Sequence, residues 1–146
     1  MTFPLPALSI GLIGPGLIGK TLLRQIQRVT EQLKSVHQIT FNVHVIMNSK
    51  HMLLSDTPID LSTWEEQLNA CDTKADLNLF AHHMRAANTT PSVIIDCTEN
   101  KKIAQEYVGF LEKGIHIITP NKQANAGDFN DYKQLKNLTN NGKLHY

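Results

Sequence analysis

Short apolar runs alternate with longer segments of helical periodicity along this chain. Residues 8–13 form an apolar run that ends at Gly14. Over 17–33, Leu22, Leu23, Ile26, Val29 and Leu33 recur on one helical face and predict a long helix. "TFNVHVIM", residues 40–47, alternates and is β-branched, which predicts a second strand, followed by a loop as far as Pro58. Ser62 with Glu65 three residues on has the form of a capping box that starts a helix. A further helix over 76–87 turns Leu77, Phe80, Ala81 and Met84 inward, and Pro91 opens a strand over 92–98. Asn100 caps a helix over 101–113 that buries Ala104, Val108 and Leu111 and stops at Gly114. A strand over 115–119 is stopped by Pro120, a last helix covers 128–140, and "KLHY" reads as the opening of another strand. Trp64 and Phe80 read as core anchors.

Strands that alternate with helices predict a parallel sheet covered on both faces. The expectation is an α/β chain of Rossmann type, a single domain over residues 1–146.

The first strand-to-helix turn carries the first candidate chemistry. "GPGLIG" sets Gly14, Gly16 and Gly19 at the spacing G-x-G-x-x-G. In a dinucleotide cradle the first glycine makes the tight turn, the second admits the pyrophosphate to the backbone, and the third allows helix and strand to pack closely. The N–H groups around Leu17 and Ile18 then point at the phosphates, helped by the helix dipole. The competing reading is a purely structural turn. At the end of the second strand, NAD-binding sheets usually place an acid on the ribose hydroxyls. Here the positions read Asn48, Ser49 and Lys50. An amide, a hydroxyl and an ammonium accept a 2′-phosphate that a carboxylate would repel, which favours NADP over NAD and leaves NAD open. The missing acid also counts against a methyltransferase that binds S-adenosylmethionine. The competing reading of Lys50 is a solvated loop lysine.

"IIDCTEN" brings Asp96, Cys97 and Thr98 to the carboxyl end of a buried strand, the edge where open α/β sheets bind ligands, and Thr98 is placed to meet the nicotinamide. Cys97 reads as a packed thiol, having no paired histidine. Beyond Pro120, Lys122 projects from a loop at the same edge, where it binds a carboxylate, moves a proton or is a plain surface lysine. The seven histidines have no ligand spacing, and no metal site is expected.

Composition narrows the class without adding chemistry. With 41% apolar and 18% charged residues and a net charge of +1, the chain has an ordinary globular make-up, with no basic field for nucleic acid. No run is long enough for a bilayer, and the N-terminal stretch lacks a secretory pattern. Two cysteines in such a chain are expected to be reduced, which suits the cytoplasm.

In "GLIGPGLIGKTLL", "NSKHMLLSD", "IDLSTWEEQL", "VIIDCTEN" and "KGIHIITPNKQAN" the chain resembles the NAD(P)-binding domain of homoserine dehydrogenase, most of all the form fused behind aspartate kinase. The resemblance implies NADP-linked interconversion of homoserine and aspartate 4-semialdehyde, in the threonine and methionine branch of aspartate metabolism. It assigns Gly14, Gly16, Leu17, Ile18 and Gly19 to the pyrophosphate. Ser49 and Lys50 go to the ribose and its 2′-phosphate, Thr98 to the nicotinamide, and Lys122 to proton transfer beside the substrate. In the family a substrate-binding and dimerisation domain follows. The expectation is that it is absent here, that the chain does not turn over substrate alone, and that oligomers belong to the complete enzyme. The partners implied are a dinucleotide and an amino-acid substrate, with no nucleic acid and no membrane. The rival readings are a non-catalytic dinucleotide-binding module and a different Rossmann amino-acid or semialdehyde dehydrogenase domain.

Overall fold

The computed structural model describes residues 4–86, 90–142 and 144–146. Its elements follow in the order β1 (Ala7–Ile13), α1 (Leu17–Gln32), β2 (Thr40–Met47), β3 (Met52–Leu54), α2 (Trp64–Asn69), α3 (Leu77–Ala86) and β4 (Ser92–Asp96). They continue with α4 (Lys101–Gln105), α5 (Tyr107–Glu112), β5 (His116–Ile118), α6 (Gln123–Ala126) and α7 (Phe129–Thr139). The sheet order is β3-β2-β1-β4-β5. Neighbours β2-β1, β1-β4 and β4-β5 run parallel, and the central strands β1 and β4 are apolar and buried on both faces over most of their length, as parallel strands usually are. The edge departs from the all-parallel expectation. β3, assigned to loop by its sequence, returns antiparallel on β2, because a hairpin turn at Asn48 brings Met52 opposite Met47.

The two faces of the sheet carry two separate cores. Ile10, Leu12, Val43, Ile46, Val93 and Ile95 pack against Leu23 and Ile26 of α1 and Trp64 and Leu68 of α2. Ile13, Val45, Met47 and Ile94 face the opposite way, against Phe80 and Met84 of α3 and Tyr107, Phe110 and Leu111 of α5. The alternation in β2 is interrupted because the register with β1 slips between Ile10 and Gly11, leaving His44 as an extra residue. The His44 ring reaches the Ser55 carbonyl at 3.1 Å. Gly11 stands where it does because the Phe80 ring lies directly on it: a Cβ there would come within 2.6 Å of Phe80 Cζ.

Several expected boundaries moved. α1 runs on through a wide turn over Leu33–His37 that ends where Gln38 adopts φ 54°. Of its expected inward face, Leu23 and Ile26 are buried, Leu22 and Leu33 are half-buried, and Val29 is exposed. The helix expected over 101–113 is divided. The Glu106 N–H bonds the carbonyl of Ile103, three residues back, and this tightened turn lets Tyr107 begin α5 with its ring buried. Asn100 caps α4 as expected, accepting the Lys102 N–H, and Gly114 follows α5 with φ 79°. The expected end of α3 at Ala87 lies outside the described residues. Residues 144–146 form no strand, although the His145 carbonyl accepts the Ile117 N–H of β5.

That terminal contact is sensitive to pH. The His116 ring stacks on His145 at 5.4 Å, and its Nδ1 accepts the His145 N–H at 3.1 Å. Burial first, and then the His145 ring, hold His116 below its ordinary pKa of 6.5. The folded ring therefore stays neutral while the unfolded chain takes up its proton. The contribution is present above pH 6.5 and is lost as pH falls from there toward the lowered folded value. Melting temperature is expected to fall with acidification below that pH, and His116→Gln to flatten the slope. An unchanged slope in the variant overturns this assignment.

Candidate functional site

The strand order turns at β1, which has β2 on one side and β4 on the other. Open α/β sheets bind ligands in the crevice outside the carboxyl ends of the strands at such a point. Gly14, Gly16, Asn48, Ser49 and Thr98 line a cleft of about 420 Å³ there.

Each glycine of the first turn has its own physical reason. Gly14 adopts φ 82°, donates its N–H to the Met47 carbonyl at 2.9 Å, and leaves no room for a Cβ, which would stand 2.5 Å from Thr98 Cγ2. At Gly19 a Cβ would lie 2.4 Å from the Gly14 carbonyl oxygen, so only glycine lets α1 sit this close to the end of β1. Gly16 differs from both. It precedes α1 at φ −80°, and a Cβ there would meet nothing within 4 Å. Its lack of a side chain is not required by the protein's own packing.

The first turn of α1 has N–H groups without helical partners, has no capping side chain and contains no acid. Leu17 and Ile18 are 86% and 57% exposed at its start. Open space over Gly16, unpartnered N–H groups and a positive helix end fit a phosphate ester.

Asn48 and Ser49 form the far wall. The Asn48 side-chain oxygen is already taken by the N–H groups of Lys50 and His51, at 2.8 and 2.7 Å, so only its amide hydrogens face outward. Lys50 is exposed on the same turn but does not line the cleft. Thr98 is half-buried, its N–H held by Asp96 at 2.8 Å, and its hydroxyl accepts the Asn100 N–H. Lys122 is exposed immediately before α6 and also lies outside the cleft lining. Cys97 is half-buried beside Thr98. Burial, and then Asp96, push its thiol up, away from the thiolate a nucleophile needs.

The third wall comes from residues the sequence reading did not place there. Trp64, Glu65, Leu68 and Asn69 of α2 close the cleft opposite Gly16. Ser62 and Glu65 do not form the expected capping box. Thr63 precedes the helix, Ser62 donates its N–H and hydroxyl to Asp60, and Glu65 pairs with Lys20 at 2.8 Å. Asp60 takes both donors of Ser62 because a carboxylate two residues away is a strong acceptor, and the helix starts one residue later, with Thr63 in the cap position. A carboxylate therefore does stand at this cleft, supplied by α2 rather than by the end of β2 and neutralised by a lysine. Nothing in a linear reading pairs positions 20 and 65.

At the other end of the site, Asp96 is fully buried at the carboxyl end of β4. It accepts hydrogen bonds from Tyr107 and Asn121 as well as from Thr98. Burial, and then the bond to Asp96, hold the Tyr107 phenol protonated far above its ordinary range. Tyr107, Thr119 and Asn121 were also missed. Thr119 and Asn121 have only the signal of polar residues just past a strand end, and Tyr107, at the start of α5, has none.

Among the described residues no helix is long and apolar enough to cross a membrane. A family model described as "Homoserine dehydrogenase, NAD binding domain" matches residues 14–146. The bifunctional aspartokinase/homoserine dehydrogenase 2 of Arabidopsis thaliana, a chloroplastic protein, is 46% identical over 95% of this chain, which spans 15% of its length. A Candida auris protein solved as one of unknown function superposes with a TM-score of 0.81 at 26% identity, over 96% of this chain and 38% of that one. A hyperthermophilic archaeal homoserine dehydrogenase in complex with NADPH superposes with a TM-score of 0.70 at 19% identity, over 95% of this chain and 42% of that one.

Proposed function

Since the chain belongs to the homoserine dehydrogenase family, through its NAD-binding domain, we propose that the cleft beside Gly16 holds NADP for the interconversion of homoserine and aspartate 4-semialdehyde. The open face of Gly16 is the observation that carries this reading. A glycine that the fold itself does not need is explained by a group that must approach the backbone.

Gly14, Gly16 and Gly19 shape the turn, and the N–H groups at Leu17 and Ile18 receive the pyrophosphate. Asn48, Ser49 and Lys50 present donors to the ribose and its 2′-phosphate. NADP is favoured because the amide hydrogens of Asn48 are left to donate and Glu65 is neutralised by Lys20. The NADPH held by the archaeal neighbour agrees with this choice. Thr98 bounds the nicotinamide end, and Lys122 gives up or takes the substrate proton. When bound, the cofactor supplies or accepts the hydride.

The chain spans about 15% of the length of its bifunctional relatives, and in this reading the groups that select homoserine come from outside residues 1–146. The reading places the domain in the threonine and methionine branch of aspartate metabolism. The free thiols Cys71 and Cys97 suit a reducing compartment, cytoplasm or chloroplast stroma.

The test is a fluorescence titration of the chain with NADPH and with NADH. Saturable NADPH binding is expected, about tenfold tighter than NADH, the size of one charge-assisted contact. Lys50→Ala should bring the two affinities together. Equal affinities in the unsubstituted chain remove the NADP assignment, and no binding to a folded chain removes the cofactor reading.

A further inference from the structure

We propose that Asp96 and Tyr107 are positioning residues for the nicotinamide end of the site, holding the Thr98 turn and the Lys122 loop in one relation to each other. The inference deepens the dinucleotide reading and rests on it.

Asp96 is 0% exposed, and the only ion pair among the described residues, Lys20 with Glu65, does not involve it. Burying a carboxyl group without a cation is costly, and an apolar residue at the end of an apolar strand would be cheaper for the fold. What Asp96 has instead is a full set of donors, all from loops and helix starts at the sheet edge. Oδ1 accepts the Thr98 N–H at 2.8 Å, while Oδ2 accepts the Tyr107 hydroxyl at 2.5 Å and Asn121 Nδ2 at 3.2 Å.

The main chain of the same residue extends the network. The Asp96 carbonyl accepts the Thr119 hydroxyl at 2.7 Å, and Thr119 Oγ1 in turn accepts the Asn121 N–H at 2.8 Å. Asn121 is 4% exposed. It gives its second Nδ2 contact to the Asn100 carbonyl and takes the Gln123 N–H on Oδ1 at 3.0 Å. Lys122 thus stands between two residues whose N–H groups both end on side chains of this network. Thr98 is tied to the same carboxyl group, and its methyl packs so closely on Gly14 that a Cβ there would lie 2.5 Å from it. No buried side-chain nitrogen or oxygen among the described residues lacks a partner, so each member is satisfied and rigid. Because the Tyr107 phenol stays protonated, it remains a donor to Asp96 at any ordinary pH.

Two ligands separate positioning from mere stability: NADPH, and 2′-phospho-ADP-ribose, which lacks the nicotinamide. In the unsubstituted chain NADPH should bind the tighter of the two. Tyr107→Phe keeps the ring and removes the hydroxyl. It should cut NADPH affinity about tenfold while leaving 2′-phospho-ADP-ribose unchanged. Thr119→Val should act in the same direction and Thr119→Ser should restore the margin, so the result does not hang on one variant's folding. A margin that survives both Tyr107→Phe and Thr119→Val, or an equal loss for the two ligands, overturns the inference while leaving the cofactor reading standing. An unsubstituted chain that binds neither ligand overturns both.

Discussion

Gly19→Val is expected to destabilise the chain strongly, while the same change at Gly16 leaves it folded and weakens cofactor binding. At position 19 the first added carbon already falls 2.4 Å from the Gly14 carbonyl oxygen, inside contact distance of a backbone atom that cannot swing away. α1 must then lift off β1, breaking the packing of Leu23 and Ile26 on Ile10 and Leu12. A loss of about 3 kcal/mol or more follows, which in a domain of this size lowers the melting temperature by roughly 10 °C. At position 16 no protein atom lies within 4 Å of the added carbon and φ is −80°, so valine costs about 1 kcal/mol at most as a poorer helix cap. Its branches then fill the space a pyrophosphate needs, and NADPH affinity should fall at least about tenfold. Thermal melts and titrations on the two proteins decide the matter. A Gly16→Val chain that binds normally would show that the open space is not a phosphate site.

Phe80→Ala is expected to cost about 3–5 kcal/mol, and part of that loss should be recovered by adding Gly11→Ala. The Phe80 ring is fully buried and lies on Gly11, where a methyl group would meet Phe80 Cζ at 2.6 Å and Met84 sulfur at 2.9 Å. Gly11→Ala alone therefore overpacks the face and costs about 1–3 kcal/mol. With the ring removed, the same methyl enters the vacated volume. The double variant should be more stable than the sum of the single effects by about 1 kcal/mol or more. Urea unfolding of the four proteins measures this coupling, and simple additivity would mean that Gly11 and Phe80 do not share one space.

Local patterns carried most of the fold. β2 falls on the residues its alternation marks, Asn100 caps, and Gly114 ends its helix. The failures have one origin. β3 is three residues long and exists only because the turn at Asn48 folds it onto β2. The divided helix at Glu106 answers the burial of Tyr107 against the far side of the sheet. Ser62 and Glu65 have a capping box in sequence, yet each found a better electrostatic partner nearby in space. In the site, Gly14, Gly16, Asn48, Ser49 and Thr98 come together as their strand ends required, whereas Lys50 and Lys122 do not line the same cleft.

What the sequence determined by itself is whatever depends on neighbours along the chain: the glycine turn after β1, the strand and helix alternation, the caps, and hence a dinucleotide-type fold with its ligand edge. Periodicity and backbone sterics act over a few residues, so these are written locally. What only the tertiary structure decided is which distant groups share a space. It gave the three glycines three different reasons, it brought Lys20 and Glu65 together across the cleft, and it gathered Tyr107, Thr119 and Asn121 on the buried Asp96. Those relations arise because a sheet carries the ends of separate strands to one edge, where contact distance no longer follows distance along the chain.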